Sequence, residues 1–124
     1  MANSWHILVV EDEPDGQMVV SRLLKNFNIT TDAVGTGEDA LAALQSRAYT
    51  AAIVDLALPG MDGLEVVQTI KENPDTAALP CIAMTAYHTS KVKEQALEAG
   101  FDAYFSKPLD DTAFIREIER IVSN

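Results

Sequence analysis

A single cysteine, Cys81, stands among the 124 residues, so no disulfide can close within the chain. Set inside "LPCIAMT", it reads as a small core residue. Basic residues are scarce as well: nine Lys and Arg face nineteen Asp and Glu, a formal net charge of −10. That balance repels DNA, RNA and anionic membranes, and favours proteins or cations as partners. No apolar run approaches the length of a membrane span, and the start "MANSWHILVV" lacks a basic leader segment. A soluble, cytoplasmic protein is expected. The two histidines, His6 and His88, have no partner at metal-ligand spacing and no nucleophile to serve. They are left structural or surface roles.

What the chain does have is apolar residues, 48% of the total, enough for one globular domain and against disorder. They gather in short runs at Ile7–Val10, Ala51–Val54, Cys81–Met84 and Ala103–Phe105, with a weaker run near Ile29–Val34. Being apolar without alternation, these runs predict strands covered on both faces, as in parallel sheets. Segments of helical period lie between them at Pro14–Asn26, Gly37–Ser46, Gly63–Glu72 and Ser90–Ala99, and Asp111–Val122 follows the last strand. In that last segment Phe114, Ile115, Ile118, Ile121 and Val122 make a stripe that packs one face on a sheet. Pro14 suits a first helical turn, and Asp15 suits the positive end of the helix dipole. Five β–α repeats of this length predict an α/β, doubly wound sheet. No linker, longer repeat or low-complexity tract interrupts it, so one domain is expected, with no second domain attached.

Ligands of such sheets bind outside the carboxyl ends of the strands, where strand order reverses. The first strand runs into Glu11 and Asp12, the third ends at Asp55, the fourth at Thr85 and the fifth near Ser106–Lys107. Crowded carboxylates raise each other's pKa unless a cation joins them. All-oxygen ligands suit Mg²⁺ or Mn²⁺. The charges then add up: −3 from Glu11, Asp12 and Asp55, +2 from the metal and +1 from Lys107. Within that set Asp55 can act as a nucleophile towards phosphorus, since carboxylates form acyl phosphates. Metal and Lys107 would stabilise the oxygens of the transferring group. The Thr85 hydroxyl can bond a phosphoryl oxygen once the group is attached.

Each residue alone has a plainer reading. Acids after a strand often cap the next helix, and Asp55 before "LALPGMDG" could merely begin a turn. A lone Lys107 is ordinarily a solvated surface residue, and a lone Thr85 a strand end. Their joint occurrence at different strand ends is what favours a site.

The order and spacing of "ILVVEDE", "TGEDAL", "AAIVDLALPGMDGLEVV", "LPCIAMTAY" and "ALEAGFDAYFSKPLD" resemble the receiver domain of two-component response regulators, over Trp5 to Val122. The resemblance implies a flavodoxin-like sheet of order 2-1-3-4-5 flanked by five helices. It implies that Asp55 is the phospho-acceptor and Asp12 a direct metal ligand. Glu11 matches the outer acid that reaches the metal through water, and the backbone carbonyl of Ala57 matches a third ligand. Thr85, Tyr104 and Lys107 match the switch hydroxyl, the switch aromatic and the active-site lysine, and Lys107–Pro108 is expected to be cis. The implied donor is a histidine kinase or a histidine phosphotransfer protein. The implied output is an altered surface on the fourth helix, fifth strand and fifth helix, read by a downstream protein or a second copy of the chain. Such self-modification is not turnover, so no enzyme is expected.

Three positions depart from the family pattern. Glu11 stands where many members have Asp, one methylene shorter. Ala57 is smaller than the Met or polar residue often found there. Thr50 replaces a frequent acid at the far end of the third strand from Asp55, where no effect on the site is expected. Two rival readings fit less well. A phosphatase of the haloacid dehalogenase type needs a second acid at position 57, which is alanine. A flavodoxin-like cofactor binder would want a Ser/Thr/Gly-rich phosphate loop where "EDEPDG" stands.

Overall fold

The computed structural model describes residues 4–123. Five strands, β1 (His6–Val10), β2 (Thr30–Val34), β3 (Ala51–Asp55), β4 (Cys81–Thr85) and β5 (Ala103–Ser106), alternate with five helices. The helices are α1 (Pro14–Lys25), α2 (Gly37–Ser46), α3 (Gly63–Glu72), α4 (Ser90–Ala99) and α5 (Asp111–Val122). All strand pairs are parallel and the order is β2-β1-β3-β4-β5. Strand order reverses between β1 and β3, which puts the crevice at the ends of those two strands.

The unbroken apolar runs are explained by two cores. Successive side chains of a strand point to opposite faces. Ile7, Val9 and Ile53 therefore pack with Leu24, Phe114 and Ile118 on the face covered by α1 and α5. Leu8, Val10 and Val54 pack with Val66, Val67 and Ile70 on the other face. Every residue of β3 and β4 is buried, and each large side chain so enclosed contributes roughly 1.5–3 kcal/mol. The Cys81 thiol lies in this core, where burial pushes it up to about 12. No helix among the described residues is long and apolar enough to cross a membrane.

Boundaries differ from the apolar runs and the helical period by one residue in several places, β1 starting at His6, β3 ending at Asp55 and β4 at Thr85. The first helix ends at Lys25, with Asn26 as its C-cap. Asn28 follows in the left-handed region (φ 61°), a conformation Asn tolerates better than most residues. That turn places Ile29 in the core before the strand begins at Thr30. The fifth strand runs on to Ser106, which pairs with Thr85.

Helix starts on the site's side of the sheet are pinned by local sequence. Asp62 caps α3 in a reciprocal box with Glu65, while Thr89 caps α4 and Asp110 caps α5. Such caps contribute typically ~1 kcal/mol each. They hold the loops that follow β3, β4 and β5. At the other end of the sheet, Thr50 accepts a hydrogen bond from the His6 amide at 2.9 Å, remote from Asp55.

Candidate functional site

Glu11, Asp55 and Lys107 meet at the ends of three strands. Lys107 Nζ lies 2.6 Å from Glu11 Oε1 and 2.7 Å from Asp55 Oδ2, donating to both. The second oxygen of Asp55 accepts the Ala57 amide at 2.9 Å, an Asx turn that aims the carboxylate out of the strand end. Lys107 is held in turn by its backbone amide, which donates to the Thr85 carbonyl at 2.8 Å. The bond between Lys107 and Pro108 is cis.

Burial and ion pairing oppose one another in this triplet. Glu11 is 1% exposed, and this enclosure raises its pKa; the neighbouring Lys107 opposes the rise and Asp55 adds to it. Burial also works against the Lys107 ammonium, but the hydrogen bonds it donates to Asp55 and Glu11 outweigh that and hold its pKa above the ordinary lysine value. Removing one partner of a buried pair of this kind typically costs about 3–5 kcal/mol, because the other charge is left without compensation.

The remaining expected residues stand around this ion triplet without joining it. Asp12 is exposed and forms no hydrogen bond or ion pair among the described residues. Thr85 is buried, and its hydroxyl accepts the Tyr87 amide at 3.0 Å. Tyr104 packs against the core on the α3 face, with its hydroxyl 2.9 Å from His88 Nδ1. A groove of about 220 Å³ runs past Ala57, Thr85 and Tyr87.

Among the described residues, no three His, Cys, Asp or Glu side chains gather closely enough to hold a metal ion. Glu11, expected to reach a metal through water, is engaged by Lys107 instead. The donor chemistry still fits Mg²⁺. That ion keeps several waters and is commonly bound through one or two carboxylates. Asp12 offers a carboxylate without a protein partner, and Asp55 lies across the same crevice.

Four contributors escaped the sequence reading. The Gln17 side-chain amide donates to the Glu11 carbonyl at 2.7 Å, fixing the turn out of β1. Gly63 approaches the Asp55 backbone so closely that it has no room for a side chain, and Gly16 lies against the Glu11 side chain. His88, read as structural or surface, is exposed but bonded to Tyr104. Only the glycines carried a local signal, each lying in the first turn of a helix that it does not favour.

Known proteins are similar to this chain in sequence and fold. A 14.6 kDa protein encoded in the sodA1 3′ region of Leptolyngbya boryana is 32% identical over 92% of this chain and 87% of its own. A response regulator structure from Chloroflexus aurantiacus superposes with a TM-score of 0.93 at 25% identity, covering 97% of this chain and 98% of that one. The receiver domain of sensor histidine kinase PA1611 from Pseudomonas aeruginosa superposes at 0.89 with 28% identity and the same coverage, and it has a magnesium ion coordinated in its active-site cleft. Other curated relatives are longer, the chain spanning 44% or less of each. The family model of the response regulator receiver domain matches residues 7–119, and with that span and the strand order in agreement, the chain belongs to the receiver domains of two-component signalling.

Proposed function

We propose that the chain is a phospho-accepting module in which Asp55 takes a phosphoryl group from the phosphohistidine of a kinase or phosphotransfer protein. The observation that carries this reading is the Asp55 carboxylate, fixed at a strand end by Lys107 and by the Ala57 amide. A carboxylate oxygen attacks phosphorus, the P–N bond of the donor breaks, and the imidazole nitrogen keeps the electron pair. The product is an acyl phosphate on Asp55. Lys107 is already in place to meet a phosphoryl oxygen, so its charge needs little reorganisation during transfer. Glu11 orients that ammonium from the buried side.

Bound Mg²⁺, held by Asp12, Asp55 and the Ala57 carbonyl, would supply positive charge to the transferring oxygens. The magnesium in the Pseudomonas aeruginosa neighbour supports this assignment. Thr85 then turns its hydroxyl to the phosphoryl group, Tyr104 follows, and the surface of α4, β5 and α5 changes for a downstream protein or a second copy of the chain. The protein modifies itself and is no turnover enzyme, and a cytoplasmic setting goes with a kinase donor.

The test is incubation with acetyl phosphate, with and without Mg²⁺, read by intact mass. One added phosphoryl group is expected, none on Asp55→Asn, and a rate on Asp12→Ala that no longer depends on Mg²⁺. Full labelling of Asp55→Asn would falsify the assignment.

A further inference from the structure

Asp12 is exposed, and no hydrogen bond or ion pair among the described residues holds its carboxylate. A ligand held by nothing at its side chain must be aimed by its backbone. The residue before it is tied on every side. The Glu11 amide donates to the Val34 carbonyl at 3.0 Å, and its carboxylate accepts from Lys107 at 2.6 Å. What remains free is rotation of the Glu11 carbonyl, which carries the peptide leading into Asp12. Gln17 takes that freedom away, its side-chain amide donating to the carbonyl at 2.7 Å. A carbonyl oxygen only accepts, so the amide must present its nitrogen here.

The helix does not account for this residue, since Leu, Met and Glu would suit it as well. It does fix the root of the side chain: the Gln17 backbone amide donates to the Glu13 carbonyl at 2.9 Å. The half-buried amide lies over Gly35, where a Cβ would come within 3.9 Å of Gln17 Nε2 and 4.0 Å of Asp12 Cα. One side chain thus joins the start of α1, the end of β1 and the turn after β2.

We propose that Gln17 is a positioning residue for the cation site: by holding the Glu11 carbonyl, it aims Asp12 into the crevice it shares with Asp55. The proposal rests on the reading of Asp12 and Asp55 as Mg²⁺ ligands. It deepens that reading by naming a residue that sets the affinity without touching the ion.

Three proteins test it: the parent, Gln17→Met and Gln17→Glu. Met and Glu rank with Gln in helix propensity, and neither can donate to the carbonyl at neutral pH. Each is measured for Mg²⁺ affinity by titration calorimetry, for melting temperature without Mg²⁺, and for labelling by acetyl phosphate as Mg²⁺ is raised. Gln17→Met should bind Mg²⁺ about tenfold more weakly, the low end for losing a partner that orients a metal ligand. Its labelling should need more Mg²⁺ yet approach the parent rate at saturation, because Lys107 and Asp55 keep their places. Gln17→Glu should bind no more tightly than the parent, although its added charge by itself attracts a cation.

Parent-like affinity in Gln17→Met would overturn the proposal, as would tighter binding by Gln17→Glu. A labelling rate that saturating Mg²⁺ does not restore would overturn it too, the damage then reaching beyond the cation site. Should Gln17→Met not fold, Gln17→Leu takes its place, and loss of folding in both makes the amide structural and the proposal wrong. If the parent binds Mg²⁺ but takes no phosphoryl group, the acceptor reading fails and the affinities alone decide. If the parent binds no Mg²⁺, the cation site and this proposal fall together.

Discussion

The hydroxyl of Tyr104 and Nδ1 of His88 lie 2.9 Å apart, joining β5 to the loop that follows β4, and their rings tilt at 50° with centroids 5.5 Å apart. One residue earlier, the Tyr87 amide is bonded to the Thr85 hydroxyl at 3.0 Å. Four residues of chain are thus tethered to both members of the expected switch. On the proposed reading, a phosphoryl group on Asp55 should compete for the Thr85 hydroxyl and shift the population by binding the two arrangements unequally. Amide NMR shifts along α4, β5 and α5 should change on phosphorylation. His88→Ala, which unties Tyr104, should move the unphosphorylated spectrum of β5 part of the way. Shifts on that face that ignore phosphorylation would sink the coupling.

Gly63 presents a harder constraint than Gly16. A Cβ there would lie 2.7 Å from the Asp55 carbonyl oxygen and 2.7 Å from Leu56 Cα, and these backbone atoms cannot swing away. Gly63→Ala should therefore lose about 1–3 kcal/mol, the range for overpacking, and should slow labelling by displacing Asp55 itself. Gly60→Ala is the control. Nothing lies within 4 Å of a Cβ at that position, but its φ of 70° strains any L side chain. It should lose roughly 1–2 kcal/mol with the labelling rate intact. Urea unfolding alongside labelling separates the two.

A third prediction concerns alkaline pH. The Tyr49 hydroxyl donates to Asp32 Oδ2 at 2.7 Å. Burial, followed by this carboxylate, pushes the phenol up to about 12, from an ordinary value of about 10. The raised value means that the folded state holds the proton more tightly. Its contribution is fully present below pH 10 and is lost as pH climbs through 12. Absorbance of the phenolate should show a tyrosine ionising near pH 12 that Tyr49→Phe removes. The variant should also be less stable at neutral pH by about 0.5–1.5 kcal/mol, and lose less of its stability than the parent across that alkaline window.

The lifetime of the phosphoryl group gives a fourth. Water must attack in line, and the groove beside Asp55 is lined by Ala57 and Tyr87. Alanine leaves space but cannot orient a water, so extra space alone gains little rate. Tyr87 is 74% exposed, a bulky ring at the mouth of that groove. Covering should win. Tyr87→Ala should speed loss of the group by about threefold, equal to ~0.7 kcal/mol, measured after removal of the phosphodonor at constant Mg²⁺. Unchanged decay would show that the ring is no shield.

Much of this was legible before any coordinates. The runs at Ile7–Val10, Ala51–Val54 and Cys81–Met84 announced a parallel sheet because both faces of those strands are covered. The run at Ile29–Val34 was weak for a physical reason, since β2 is an edge strand with Thr30 and Ala33 exposed. Strand ends led directly to Glu11, Asp55, Thr85 and Lys107. Which carboxylate meets which cation was not legible. Glu11 engages Lys107 while its neighbour Asp12 faces solvent, a distinction made by the burial of one side chain under α1. The tie between His88 and Tyr104 also escaped, because it crosses from a loop to a strand and follows no periodicity.

The Glu11–Lys107 ion pair spans 96 positions of the chain. During synthesis, at roughly 5–20 residues per second, Asp55 leaves the ribosome well before its lysine does. Through those seconds Asp55, the proposed acceptor, has no ammonium beside it, and β5 has not yet closed the edge of the sheet. On the proposed reading, a nascent chain should be mute to its donor. Cutting the chain anywhere between α4 and Lys107 removes that ammonium, so on the same reading a clipped molecule should stay silent.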